Sequence, residues 1–514
     1  MPRPSTLLLT LAFAVVVILA WCQGGRLELG PSEARYFLFP KLLFWVNWIA
    51  LILLLLVLWK QTMSSSRPVR FLLGRLLPFL PWVLLAGLVF LSLSNPSAEQ
   101  GPGGSLIGVE HQSDRPSTPH PERTEDYLRL LAAAMLLGGG VFLAAASLTQ
   151  IRRLLMALFL NGLVAAIVGT PFYLLRSKKI LGFMEPVNHQ FFSSFRYHNA
   201  WGGYLILILA AGLGLVSYAL TRTRSQRNQS RGAGDKGFQT LILLLVGVAL
   251  IVPTLFMGGG RASWAAGVPL ILLAPVLLVA QAIWKASPKW RLPVGVFGAA
   301  IAAAIIGGTI FLADYQIQRN TARTQAQIEA AQQGQALNLR QVLMKDAFTK
   351  LYLGSSAQGP NLPKPKWGWG LGSSKIMLPV VQDPKMYAFG ADREEAAFFR
   401  PRPVEFVHND WIQYLVELGW IGFSLLAIPP LWLLVLSVWK GRLNSISFWL
   451  AMGVGSVLCL AAVEFPLSNP TILILFSVLY GASAKYAILS RRKHGSGATG
   501  PPSKAKSKVR SAGV

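Results

Sequence analysis

Residues 48–59 read Trp48-Ile49-Ala50-Leu51-Ile52-Leu53-Leu54-Leu55-Leu56-Val57-Leu58-Trp59. The run carries no charge and no polar face, so it suits neither a one-sided helix nor a half-exposed strand of a soluble domain. It lies inside a longer apolar block, 37–59, and roughly 20 apolar residues in a helix cross about 30 Å of hydrocarbon. Similar blocks recur along the chain. Read by the same rule, about twelve spans occupy 6–22, 37–59, 71–94, 128–149, 154–175, 199–220, 238–257, 264–284, 292–313, 420–439, 448–466 and 472–489. The 514 residues are 53% hydrophobic and 13% charged, with a mean hydropathy of +0.48. That composition excludes a water-soluble globule, because the apolar residues fall in blocks and not in stripes.

The expected architecture is therefore an all-α polytopic membrane protein. Residues 1–313 hold membrane helices one to nine, 314–408 form a large extracytoplasmic loop containing helices, and 409–489 hold an interfacial helix and helices ten to twelve. Residues 490–514 are a basic cytoplasmic tail, rich in Gly, Ser, Pro and Lys, with the composition of a disordered segment. The first block has a basic start but no small-residue cleavage site, so it reads as a membrane helix and not as a cleaved signal. Cys22 and Cys459 lie far apart in or beside apolar segments, which supports neither a disulfide framework nor a thiolate metal site.

A formal charge of +27 would point to nucleic acid in a soluble protein. Here the cations gather in short connections: Arg152-Arg153, then Arg222, Arg224, Arg227, Arg231 and Lys236, then the tail from Arg491. That is an orientation signal with both termini cytoplasmic, and no nucleic-acid partner is expected. Of the 21 Asp and Glu, only Asp235 falls in a segment this topology makes cytoplasmic.

Three outer segments are long: 95–127, 176–198 and 314–408. The first is rich in Pro, Ser and Gly and reads as a loop. The last opens with a Pro-free stretch, Asp314 to Leu353, whose Ile328, Leu337, Leu339, Val342, Leu343 and Phe348 suit an amphipathic helix. A turn-rich run from Gly354 to Gly372 follows, with Trp367 and Trp369. A loop this long between spans is usually functional or disordered, and its aromatic content favours function.

The loop ends in Val407-His408-Asn409-Asp410-Trp411-Ile412-Gln413-Tyr414-Leu415-Val416-Glu417-Leu418-Gly419-Trp420-Ile421-Gly422-Phe423. Asn409 or Asp410 can cap a short interfacial helix, which Gly419 and Gly422 bend into the next span. His408 then sits at a helix N-terminus. The positive end of the dipole disfavours an imidazolium and keeps a neutral ring available to take a proton from a sugar hydroxyl; a cap that only faces headgroups is the equal alternative.

Arg261 lies in a short outer turn, Gly258-Gly259-Gly260-Arg261-Ala262-Ser263-Trp264, where a guanidinium and nearby amides can hold a phosphate. The alternative is a snorkelling cation. Arg340, in Asn338-Leu339-Arg340-Gln341, reads by itself as a solvated helix cation. In Phe195-Arg196-Tyr197-His198-Asn199-Ala200-Trp201-Gly202-Gly203, Arg196, His198 and Asn199 are possible substrate contacts, as is Asn409, while Tyr197 and Trp201 read as interfacial anchors. No Walker loop, Rossmann pattern or His-Glu-x-x-His motif occurs, and Gly368-Trp369-Gly370-Leu371-Gly372 is not placed between a strand and a helix, so neither nucleotide nor metal is indicated by motif.

Together these features resemble the O-antigen ligase and polymerase superfamily of membrane glycosyltransferases. The resemblance rests on Phe195 to Gly203, the Gly260–Trp264 turn, Leu339-Arg340 before Gly368–Ser373, and His408-Asn409 leading into Leu415–Gly422. It implies a GT-C-like helical fold in a bacterial inner membrane with the active site facing outward. It also implies transfer of a glycan from an undecaprenyl diphosphate carrier to an acceptor hydroxyl on a glycan, lipid or protein, without cofactor. In that family's terms Arg261 and Arg340 match the arginines that hold the carrier diphosphate, and His408 matches the base. The competing expectation is a transporter or flippase for a polysaccharide precursor or small anion. Such proteins usually carry ionisable groups near mid-membrane, whereas here the notable residues cluster at one face.

Overall fold

The computed structural model describes residues 3–22, 28–29, 36–100, 106–175, 177–181, 191–195, 197–227, 233–258, 260–285, most of 291–311 with 314 and 318, 339–354, 367–381, 406–440 and 445–495. Apolar composition drives nearly all of these into long helices, which satisfy every backbone group internally, as the hydrocarbon region requires. In chain order they are α1 (Pro4–Trp21), α2 (Leu38–Met63), α3 (Pro68–Leu76), α4 (Leu80–Leu93), α5 (Pro121–Ala144), α6 (Leu148–Leu174), α7 (His198–Arg227), α8 (Ala233–Gly258) and α9 (Arg261–Lys285). Then come α10 (Leu339–Asp346), α11 (Ser374–Val381), α12 (Asp410–Lys440), α13 (Ile446–Ala461) and α14 (Pro470–Gly495).

Among the described residues eleven helices are long and apolar enough to cross a membrane, Arg291–Gly308 included and α3 with α4 counting as one. The chain is an all-α polytopic membrane protein. A twelfth apolar helix, α13, has 16 residues, about 24 Å at 1.5 Å per residue. The break between α3 and α4 is a 3-10 turn over Leu77–Phe79, where Pro78 and Pro81 interrupt the ladder.

Helices α7 and α14 are the most enclosed, while α2, α4 and α9 expose large apolar side chains outward. Close packing of α5 on α14 depends on small residues: a methyl group on Gly138 would lie 2.6 Å from the Ser477 carbonyl oxygen. Without a hydrophobic driving force between helices in lipid, such close approach is what binds them.

Several boundaries differ from those the apolar blocks predict, among them these three. Helix α5 starts at Pro121, not 128, because the His120 Nδ1 accepts from the Arg123 amide at 3.2 Å and Pro121 takes the first turn. Its first turns are charged, with Arg129 paired to Glu125 and Asp126. Helix α13 ends at Ala461, which leaves Glu464 and Phe465 in a turn and not in the membrane helix. Helix α14 continues to Gly495, past the expected end at 489; residues 496–514 lie outside the described residues.

The connections between spans carry structure of their own. Two short antiparallel hairpins occur: β1 (Glu28–Leu29) with β2 (Tyr36–Phe37), and β3 (Ala98–Gln100) with β4 (Leu106–Gly108), where Ala98 faces Gly108. Of the helix expected over 314–353, the described part is α10, which passes into a π-helical turn over Ala347–Tyr352; Ile328 and Leu337 lie outside the described residues. Leu343 is buried as its place on the apolar face predicts. Ala347 and Leu351 join Met377 and Leu378 of α11, Val407 and Val416 in a small separate core. The segment between the ninth and tenth spans thus packs onto the membrane helices through the first turns of α12.

Candidate active site

The Asn409 Oδ1 accepts from the Ile412 amide at 3.0 Å, so Asn409, and not Asp410, caps α12. The helix runs regularly to Leu418 and turns at Gly419, where φ is 63° and ψ 178°. Only glycine reaches that backbone region without strain, and it separates an interfacial helix, Asp410–Leu418, from the span that follows. The expected bend is at Gly419 alone; Gly422 stays helical.

A turn over residues 462–468 clamps the start of this helix. The Asn409 Nδ2 donates to the Ala462 carbonyl at 2.8 Å, and the Asp410 amide to the Glu464 carbonyl at 3.3 Å. The buried Asp410 carboxylate accepts from the Leu467 amide at 2.7 Å and the Ser468 hydroxyl at 2.8 Å. Tyr414 donates from its hydroxyl to the Leu467 carbonyl.

That clamp sets His408 against Glu464. His408 has a φ of 59°, a left-handed conformation that costs a non-glycine residue energy and is held where the surroundings over-determine it. Its Nδ1 lies 3.5 Å from the Glu464 Oε2, with 23% of the His408 side chain exposed against 1% of Glu464. At that separation the pair is in contact but not aligned as a strong hydrogen bond. The Glu464 Oε1 accepts from the Asn199 Nδ2 at 2.7 Å and its Oε2 from the Tyr197 hydroxyl at 3.3 Å. The same Asn199 Nδ2 also donates to the Tyr197 oxygen at 2.7 Å. Three rings form the wall: Phe465 stacks on Phe406 at 4.5 Å and on Tyr197 at 5.4 Å, and His408 meets Phe465 edge-on at 4.8 Å.

The Gly260 turn meets this cluster from the other side. A side chain on Gly260 would fall on the Asn199 Oδ1 and beside the His198 ring, and the Ser263 hydroxyl donates to the Asn199 carbonyl at 3.4 Å. Arg261 follows directly, exposed at the first residue of α9. Arg340 lies in α10 one turn before Met344, whose sulfur is 3.6 Å from the Asn409 Nδ2; the Arg340 side chain is outside the described residues, as is Arg196 entirely. His408, Asn409, His198, Asn199 and the Arg261 turn are therefore brought to one end of the bundle. Tyr197 and Trp201 are not lipid-facing anchors: Tyr197 holds Glu464, and Trp201 is fully buried, stacked on Phe192 at 4.8 Å.

The Gly-Trp-Gly-Leu-Gly run serves the opposite end of the interfacial helix. The Trp369 and Gly370 amides donate to the Val416 and Glu417 carbonyls at 3.0 and 2.9 Å, and the Gly372 and Ser374 amides to the Glu417 carboxylate at 2.8 and 3.3 Å. Those amides are committed to protein, which removes the run as a phosphate cradle.

Residues 246–427 match the protein family described as O-antigen ligase. No curated protein matches the chain. The matched stretch contains Arg261, Arg340, His408 and Asn409, whereas Tyr197, Asn199 and Glu464 lie outside its limits and reach the histidine through the fold. Glu464 is the member that reading the spans missed, because residues 462–466 were absorbed into an apolar block. The available signal was an acid beside Pro466 at the end of that block, and an ionisable residue in such a place is a functional candidate by default.

Proposed function

We propose that this multi-pass O-antigen ligase family protein transfers a glycan from an undecaprenyl diphosphate carrier to an acceptor hydroxyl at the outer face of a bacterial inner membrane, acting as a ligase or polymerase. The contact of a buried carboxylate, Glu464, with a partly exposed imidazole, His408, carries this reading. Glu464 holds the ring through Nδ1 and stabilises the imidazolium formed when Nε2 takes the hydroxyl proton. The attacking oxygen then displaces the diphosphate directly, which inverts the anomeric centre. Charge develops on the leaving diphosphate, and guanidinium groups placed there in advance stabilise it. Arg261, one residue from the Gly260 contact with Asn199, and Arg340 on α10 are the groups assigned to that task. A GT-C-like arrangement, with a membrane bundle presenting its site at one interface, accords with this assignment.

The test is reconstitution of the purified protein with undecaprenyl diphosphate-linked glycan and acceptor. His408→Ala is expected to lower acceptor-dependent release of undecaprenyl diphosphate by about 10²- to 10⁴-fold, the usual worth of a general base. Equal release by wild type and variant removes His408 from the reaction.

A further inference from the structure

A cleft of about 730 Å³ opens at the end of α4, between that helix and the outer connection that follows it. Its volume falls within the roughly 300–1,000 Å³ of ligand sites. Ser94, Glu110, His111, Gln112 and Arg115 line it, with Leu91 at its edge. Main-chain ties preset its shape. The Asn95 carboxamide donates to the Gln112 and Pro116 carbonyls at 2.9 and 3.1 Å and accepts from the Gln112 amide at 3.0 Å. The Ser97 amide donates to the Thr118 carbonyl at 2.9 Å.

The lining decides the ligand class. Arg115 donates, Glu110 accepts and the Gln112 carboxamide does both, while Ser94, whose hydroxyl donates to the Leu91 carbonyl at 2.8 Å, and His111, whose Nδ1 faces the Val109 carbonyl at 3.2 Å, are left to accept. One carboxylate against one guanidinium leaves little net charge, so a bare phosphate meets repulsion from Glu110, and an apolar ligand would desolvate all five groups without repayment. Vicinal hydroxyls, each both donor and acceptor, match the set. Leu91 is 56% exposed on the outer surface of α4, which sets the mouth at the membrane boundary, within reach of a lipid-anchored glycan.

The loop that lines the cleft is tied to the interfacial helix through the glycine-rich run. Trp367 donates from Nε1 to the Asp114 carbonyl at 2.8 Å, Thr118 lies against Gly370, and Gly370 donates to Glu417. Glu417 stands nine residues from His408, about 13 Å along a helix. The Arg261 turn meets Asn199, which bonds Glu464 at the His408 end of the helix, and the loop lining the cleft is tied through the glycine-rich run to its Glu417 end. We infer that this cleft binds the carbohydrate of the acceptor, away from the reacting hydroxyl, an assignment that rests on the transferase reading above.

Two measurements test it with the full-length protein in nanodiscs. The probe is the oligosaccharide mixture released by mild acid from the host's own surface glycan. Its binding to the His408→Ala protein is expected to weaken more than tenfold when Glu110→Ala and Arg115→Ala are added. In the active protein the same pair is expected to raise the acceptor KM more than tenfold. Should alanine lower the melting temperature, Glu110→Gln with Arg115→Lys carries the same comparison. Unchanged binding and unchanged acceptor KM overturn the proposal, and so does a rise in donor KM in place of acceptor KM, which would mean that donor glycan occupies the cleft. A wild-type protein that binds the probe through Glu110 and Arg115 yet transfers nothing would sink the transferase reading while keeping a glycan cleft.

Discussion

Glu417, on the interfacial helix Asp410–Leu418, and Glu464, in the turn that clamps the start of that helix, are each 1% exposed, yet their partners differ in kind. Glu417 accepts from main-chain amides, those of Gly372 and Ser374, at fixed positions. Glu464 accepts from the side chains of Asn199 and Tyr197 and faces a third, His408, at 3.5 Å. Around Glu417 the loop amides are committed, while the Ser373 and Ser374 hydroxyls are buried with no hydrogen-bond partner among the described residues. Around Glu464 the Asn199 Oδ1 is likewise left over, but there a non-glycine residue, His408, also sits in a left-handed conformation. One carboxylate closes a joint and the other holds a reactive group. Backbone strain at a non-glycine residue is costly, and it persists at sites where chemistry uses it.

The largest effect separates the two on activity. Glu464→Gln keeps an acceptor for Asn199 but can present an amide N–H to the His408 Nδ1. The ring would then hold its own proton on Nε2, the wrong tautomer for a base. Transfer is expected to fall on the order of 10²-fold, with the pH–rate profile displaced and the melting temperature nearly unchanged. A variant that loses activity only in proportion to its loss of folded protein would make Glu464 structural, like Glu417.

The next effect separates them on stability. Glu417→Ala orphans two buried amides, and each such loss costs about 1–3 kcal/mol. A destabilisation of roughly 2–6 kcal/mol is therefore expected in thermal melts of the detergent-solubilised protein, with kcat for the folded fraction changed far less than by Glu464→Gln. A melt indistinguishable from wild type would show that the glycine-rich run is held by something other than this carboxylate.

The contrast also marks what residue order alone can reveal. The spans were legible because lipid imposes apolar blocks of one length, and the cap at Asn409 and the bend at Gly419 because both are local rules of helix ends. Joints between distant segments follow no such rule. Glu417 meets Gly372 across 45 positions, and nothing in Gly-Trp-Gly-Leu-Gly names its partner. Glu464 was hidden by the span rule itself, since four apolar residues before it and Phe465 after it look like membrane. Tyr197 and Trp201 were misplaced for a related reason: an aromatic residue at a span mouth suits headgroups and a packed site equally well, and only the stacks on Phe465 and Phe192 decide.

The smallest effect probes the anchor behind Glu417. Arg123 donates from Nε to the Gly372 carbonyl at 2.9 Å and Thr124 from its hydroxyl to the Leu371 carbonyl at 2.8 Å, so the first turn of α5 backs the glycine-rich run. That turn is capped by His120, whose Nδ1 can accept from Arg123 only while unprotonated. Burial pushes the His120 imidazole below its usual value, with Glu122 pulling the other way. A histidine with a depressed folded value contributes stability above its unfolded value of about 6.5, and that contribution is lost as the pH falls through the folded value. Lowering the pH from 7 to 5 should therefore cost wild type up to about 1 kcal/mol, the worth of one cap, relative to His120→Asn, whose carboxamide caps at either pH. Parallel melting curves for the two proteins across that range would mean that the Glu417 joint does not depend on the α5 cap. Among the described residues no hydrogen bond joins the His408 end to this turn, so the difference should appear in stability and leave the pH–rate profile where it was.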